Sequence, residues 1–149
     1  MKRYLGIDHG DRRIGVAISD PTGTIARPHT LIANQPDPQA VASIAAIARE
    51  YEVAQVVVGL PQNMDGSEGF RAERTRKFAE LLQSAIPEIP VVFIDERLTT
   101  MQADRSLRMM DTNRKDRKQK IDCMAASLLL QTFLDRISAE ARRNEDPFA

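Results

Sequence analysis

The chain has 149 residues, 42% of them hydrophobic and 28% charged, which is ordinary for a globular protein and long enough to bury a core. Lys plus Arg number 21 and Asp plus Glu number 21, so the net charge is zero and any basic footprint for a polyanion has to be local. The one cysteine, Cys123, excludes an intrachain disulfide and argues against a Cys-based zinc site. No apolar run approaches a membrane span, and the apolar start is broken at Asp8, too early for a signal peptide; a cytoplasmic protein with no membrane partner is expected.

In chain order, residues 3–8 read as a strand ending at Asp8. Ile14, Val16 and Ile18 alternate with Gly15, Ala17 and Ser19, which predicts a strand with one bulky and one small face. Asp20-Pro21-Thr22-Gly23 is a turn, and residues 24–32 continue as a third strand; short connections make the three an antiparallel meander. Asp37 caps a helix with Pro38 in its first position, and Val41, Ile44, Ile47, Ala48 and Tyr51 recur at helical spacing. Val56-Val57-Val58 is the apolar run of a strand covered on both faces. A polar loop over 61–67 leads to a second helix expected to carry Phe70, Phe78, Leu81 and Leu82. Val91-Val92-Phe93-Ile94 reads as another fully buried strand, and Thr99 with Gln102 as the capping box of a third helix. Residues 111–120 are charged and expected to be mobile, and a last helix from about 120 to the low 140s precedes a polar tail from about 140. Helix-linked crossovers imply parallel strands. The whole predicts one α/β domain over 1–149: a mixed five-stranded sheet, three antiparallel strands then two parallel, flanked by helices.

Three acids sit where packing alone does not call for them. Asp8 ends the first strand and shares a face with Tyr4 and Gly6 by the period of two. Glu96 lies just past the fifth strand, with Val92 and Ile94 on its face. Asp122 opens the last helix, and Ala126, Leu129 and Phe133 follow on its stripe, so it is an acid on an apolar face near the positive end of a helix dipole. Buried carboxylates need a neutralising partner, and hard divalent cations take oxygen ligands together with substrate phosphate oxygens. The plainer alternatives stay open: a turn residue at Asp8, an ion pair of Glu96 with Arg97, a helix-start acid at Asp122.

Two further segments carry candidate contacts to a polyanion. Residues 59–69 join a buried strand to a helix, whose free backbone N–H groups can bind phosphate, with Asn63 and Ser67 as side-chain donors; an ordinary turn at Asp65-Gly66 is the alternative. Between Arg105 and Lys120 there are seven bases and only Asp111 and Asp116 to oppose them. Arg114, Lys115, Arg117, Lys118 and Lys120 form either a solvated loop or a phosphate-contacting arm beside Asp122.

Together these residues resemble the YqgF family, also called RuvX. The resemblance rests on Gly6-Ile7-Asp8-His9-Gly10, on the run Arg13 to Asp20, on Val58-Gly59-Leu60-Pro61 with Asn63-Met64-Asp65-Gly66, on Asp95-Glu96-Arg97-Leu98-Thr99-Thr100, and on Asp122 with Ala125-Ala126, covering about residues 3–135. It implies a ribonuclease H-like fold and a metal-dependent nuclease that matures the precursor of small-subunit ribosomal RNA. It maps the acidic triad, for catalysis and for Mg²⁺ or Mn²⁺, onto Asp8, Glu96 and Asp122, and adds Arg13 and Arg97 to the nucleic-acid contacts. Two departures stand out. Gly59-Leu60-Pro61 occupies the place where the wider superfamily has an acid after the fourth strand, and Asp11 stands where a neutral residue such as Thr is expected.

The family has also been described as Holliday-junction resolvases, by analogy with RuvC, and some related domains have lost their acids and act as non-catalytic nucleic-acid modules. The first phosphate hairpin of actin-like ATPases and sugar kinases also resembles Gly6 to Gly10, but those proteins close a second lobe over ATP, and no room for one is expected here. RNA is expected over branched DNA, and a monomer over a weak dimer, because the helical apolar stripes are used up in covering the sheet.

Overall fold

The computed structural model describes residues 2–10, 12–33, 37–61, 69–95 and 114–145, with the side chains of the last helix described over 124–144. The elements are β1 (Arg3–His9), β2 (Arg13–Ser19), β3 (Ala26–Ala33), α1 (Asp37–Glu50), β4 (Val53–Leu60), α2 (Phe70–Ala85), β5 (Val91–Asp95) and α3 (Arg114–Glu145). One sheet holds all five strands in the order β3-β2-β1-β4-β5. β1 and β3 flank β2 antiparallel, while β1–β4 and β4–β5 are parallel. This is the mixed sheet the hydrophobic patterns predict.

The alternation within β2 decides which helix packs on which side. Its bulky residues Ile14, Val16 and Ile18 join Ile44 and Ala48 of α1 and Phe78 and Leu82 of α2 in one core. Ala17, on the small face, joins Val57 and Ile94 under Ala126, Leu129, Leu130 and Leu134 of α3. Burial of each large aliphatic residue stabilises the fold by about 1.5–3 kcal/mol. The small residues matter for distance. A Cβ placed on Gly6 would lie 2.8 Å from Leu130 Cβ and 3.1 Å from the carbonyl oxygen of Ala126. The bare backbone at Gly6 therefore sets how closely α3 lies on β1.

The turn between β2 and β3 clamps the other flank of α3. The Asp20 carboxylate accepts the backbone N–H groups of Ile25 and Thr24, each at 2.8 Å, and bonds from the N–H and hydroxyl of Thr22. Gly23, at φ +70°, closes the turn against the Tyr4 ring. The ordered strand start then meets α3: Gln131 Oε1 accepts from Ala26 N–H at 2.9 Å, and its amide nitrogen donates to Thr24 O at 2.9 Å.

Several expectations need correction. α2 does carry Phe70, Phe78, Leu81 and Leu82, but with Phe70 and Leu81 73% and 45% exposed; Ala72, Thr75, Phe78, Ala79 and Leu82 form its buried stripe. β5 is not fully buried. Only Ile94 is, and Phe93 is 37% exposed, because the strand lies at the sheet edge with a neighbour on one side alone. The last helix begins at Arg114, six residues early, so most of the 111–120 segment is helical backbone. Arg, Lys and Gln are good helix formers, so much of the charge run belongs to the helix. The capping box at Thr99 and Gln102 and most of the 61–67 loop lie outside the described residues. No helix among the described residues is long and apolar enough to cross a membrane.

Two outcomes follow. Gly6→Ala is expected to destabilise the protein by about 1–3 kcal/mol through overpacking against α3, read as a lower midpoint in urea with an unchanged slope. The hydrogen bonds to Asp20, led by the Ile25 N–H, hold its carboxyl far below the ordinary range. Its contribution to stability is therefore complete above about pH 4 and is lost as pH falls through the depressed folded value. Asp20→Asn is expected to lower Tm at pH 7, and the gap to the parent should narrow below about pH 4; a gap that persists unchanged in acid would assign the effect to something other than the carboxylate.

Candidate active site

Asp8 lies one residue from the C-terminal end of β1, half-buried, opposite Gly15. It shares a face with Gly6 and Tyr4, and that face is the one α3 covers. Two contacts give the direction of crossing. The Tyr4 ring meets Phe133 edge-on, centroids 6.0 Å apart, and Gly6 meets Leu130 and Ala126. Moving forward along β1 thus means moving backward along α3. Two residues past Gly6 on the strand is Asp8, and one turn before Ala126 on the helix is Asp122. The backbone of Asp122 is in α3, and its side chain is outside the described residues.

The parallel strands end nearly level. Ile7 pairs with Val58, Gly59 with Ile94 and Leu60 with Asp95. Val92 and Ile94 pack on the α3 side of the sheet, the same side as Asp8. Glu96 follows Asp95 in sequence and lies outside the described residues, as do Asp11, Asn63, Ser67 and Arg97. Arg114, Lys115, Arg117, Lys118 and Lys120 are all within the first two turns of α3, with their side chains outside the described set. Among the described residues no three His, Cys, Asp or Glu side chains group together, and that search does not reach Glu96 or the Asp122 carboxylate.

His9 and Arg13 flank Asp8 with different roles. His9 turns to the opposite face, is 7% exposed, stacks on Phe78 at 4.5 Å and shares a hydrogen bond with Thr75 at 3.2 Å. It ties β1 to α2. Arg13 opens β2, and its carbonyl accepts the Gly10 N–H at 3.0 Å to close the hairpin. Two residues before Gly15, it falls on the face of Asp8 by the period of two. Its Nη1 is buried without a hydrogen-bond partner among the described residues. An unsatisfied guanidinium nitrogen is costly inside a protein, and an anionic oxygen brought by a ligand would satisfy it.

The sequence reading missed one feature. The first two turns of α2 carry Arg71, Arg74, Arg76 and Lys77 against Glu73 alone, beside exposed Phe70. The spacing Arg-x-x-Arg-x-Arg-Lys is legible in the sequence itself.

A sheet of three antiparallel and two parallel strands, with helices on both faces, is the ribonuclease H-like architecture. Two solved structures share it: Thermus thermophilus RuvC in complex with a Holliday junction substrate (TM-score 0.56, 16% identity, 92% of this chain and 96% of that one), and fowlpox virus resolvase in complex with its substrate Holliday junction DNA (TM-score 0.55, 14% identity, 91% and 98%). The chain belongs to the RuvX family: residues 2–136 match the family described as "RuvX: Holliday junction resolvase". A relative from Pelotomaculum thermopropionicum is 49% identical over 134 residues, 89% of this chain and 86% of its own length. One from Halothermothrix orenii is 46% identical over 133 residues, 89% of this chain and 94% of its own. Both carry the name "Putative pre-16S rRNA nuclease".

Arg13→Met removes the guanidinium with its buried Nη1 and keeps most of the side-chain volume. It is expected to leave Tm unchanged or raise it, while weakening binding of nucleic acid by about tenfold. A variant that melts lower and binds as tightly as the parent would make Arg13 a structural residue.

Proposed function

We propose that the chain is a metal-dependent nuclease that cuts phosphodiester bonds in the 5′-end processing of pre-16S rRNA, in the cytoplasm. Asp8, Glu96 and Asp122 are its catalytic acids. The observation that carries this reading is the antiparallel run of β1 under α3, which draws Asp8 and the Asp122 turn toward each other at the end of the sheet. Membership of the RuvX family supports the reaction, and the names of relatives 46–49% identical support RNA as the substrate.

The donor set fits a hard cation: three carboxylates, with no thiolate or imidazole among them, suit Mg²⁺ or Mn²⁺. When bound, such ions activate a water and stabilise the leaving oxygen in phosphodiester hydrolysis. The protein's own part is placement. Asp8 is fixed by the ladder to β2, and Asp122 by a helix packed along the strand; Glu96 comes from the chain just past β5. Arg13 supplies a fixed donor for a phosphate oxygen, and Arg97, Asn63, Ser67 and the cations at the start of α3 hold the flanking backbone. The α3 stripe of Ala126, Leu129, Leu130 and Leu134 is spent on the sheet, which favours a monomer making one cut.

A second reading, Holliday-junction cleavage, is favoured by the family's description. It requires two matched cuts and therefore a symmetric dimer. Mass in solution, with parallel cleavage of a pre-16S rRNA end and a synthetic junction, separates the two. A monomer that cuts the RNA is expected; a dimer that cuts the junction symmetrically and spares the RNA would overturn the RNA assignment.

Asp8→Asn, Glu96→Gln and Asp122→Asn are each expected to bring cleavage to background while Tm stays at the parent value or rises, because each relieves repulsion in the metal-free protein. Mg²⁺ or Mn²⁺ at a hundred times its dissociation constant should stabilise the parent by about 2.7 kcal/mol, and the three variants much less. Full activity in any one variant would remove that residue from the site.

A further inference from the structure

The exposed aromatic residues of α2 and β5 stand out on a protein with no net charge and few aromatic residues. Phe70 is 73% exposed and Phe93 37% exposed. Each has a guanidinium over its ring: Arg74 at 5.9 Å from the Phe70 centroid and Arg76 at 5.1 Å from the Phe93 centroid. Arg76 and Phe93 also line a groove of about 220 Å³ between α2 and the sheet edge, with Ala79, Glu80, Gln83 and Val91. Lys77 lies two turns after Phe70 on the same stripe of the helix.

These features share a requirement. An aromatic ring left in water beside fixed positive charge suits a ligand with flat π faces and regular negative charge. Unpaired nucleotides have both, because bases stack on aromatic and guanidinium planes while phosphates pair with the cations. A duplex hides its base faces and meets only half of that chemistry. α2 follows β4, which runs parallel to β1, so the helix starts toward the end of the sheet where Asp8 lies, on the face opposite α3; a strand bound at the acids would pass round the β5 edge, where Arg76 and Phe93 meet, to reach it.

We propose that the outer face of α2, with Phe70, Arg74 and Lys77, together with the Arg76–Phe93 pair at the β5 edge, is a stacking track for a single-stranded segment of the RNA substrate. This deepens the nuclease reading and rests on it for the identity of the substrate. The track selects substrates with an unpaired tail next to the cut.

Binding is measured apart from cleavage, with the full chain in EDTA, a fluorescent single-stranded RNA and a blunt RNA duplex of equal length. Phe70→Ala and Phe93→Ala are each expected to weaken single-strand binding by about tenfold, the range for loss of one base stack, and to leave duplex binding unchanged. Phe70→Tyr, which restores a stacking plane, should bind as the parent does. Ile25→Ala, an exposed apolar residue in the turn before β3 and away from α2, should change nothing. Equal loss for single strand and duplex, or parent-like binding by both alanine variants, would overturn the proposal. So would a mass in solution that falls from dimer to monomer on Phe70→Ala with RNA binding intact, since the face would then join two copies. The outcome is readable even if no RNA is cleaved, so failure of the track and failure of the nuclease reading are distinct.

Discussion

The packing of α3 against β1 at Gly6 governs much of the rest. Leu130 and Ala126 come so close to the strand that a single Cβ at this position would overlap both. That proximity does two things at once. It buries Ala126, Leu129, Leu130 and Leu134 over the small face of the sheet, and it fixes a strand carrying Asp8 under a helix carrying Asp122. A bulkier β1 would lift the helix from the strand. The strand is small there because a helix has to approach it, and the proposed sharing of ions by Asp8 and Asp122 depends on that approach.

The opposite side of the sheet anchors the strand that the site depends on. His9, the residue after Asp8, is packed between strand and helix by Phe78 and Thr75, so β1 is gripped on both faces just where it ends. The Asp20 turn plays the same part at the far flank, where Gln131 couples α3 to the start of β3. Neither is part of the chemistry, and both hold elements whose relative position the chemistry needs.

Much of the fold was legible because it is written in period and punctuation. The alternation of Ile14, Val16 and Ile18 with small residues gave both the strand and its two unequal faces, and Asp37-Pro38 marked a helix start that holds. What failed was whatever depends on neighbours in space. Val91 to Ile94 is as apolar as a central strand, and only the strand order reveals that it lies at an edge. Phe70 and Leu81 fit a helical pattern, yet the buried stripe of α2 is set by where α1 and the sheet stand. In the site, Asp8 was legible as a strand-end acid on the α3 face. The orphaned nitrogen of Arg13 was not, because burial of one atom is decided by everything around it. Glu96 and the Asp122 carboxylate lie outside the described residues, so the proposed convergence of Asp8 and Asp122 rests on the register of β1 and α3, and that of Glu96 on the β4–β5 ladder that ends beside it.

Anomalous diffraction from crystals of the unmodified chain soaked in Mn²⁺ tests that convergence most directly. A manganese peak within about 2.0–2.3 Å of carboxylate oxygens from both Asp8 and Asp122 is the result the register of β1 and α3 predicts. Ordered carboxylates at both positions, facing apart and with no manganese between them, would contradict it.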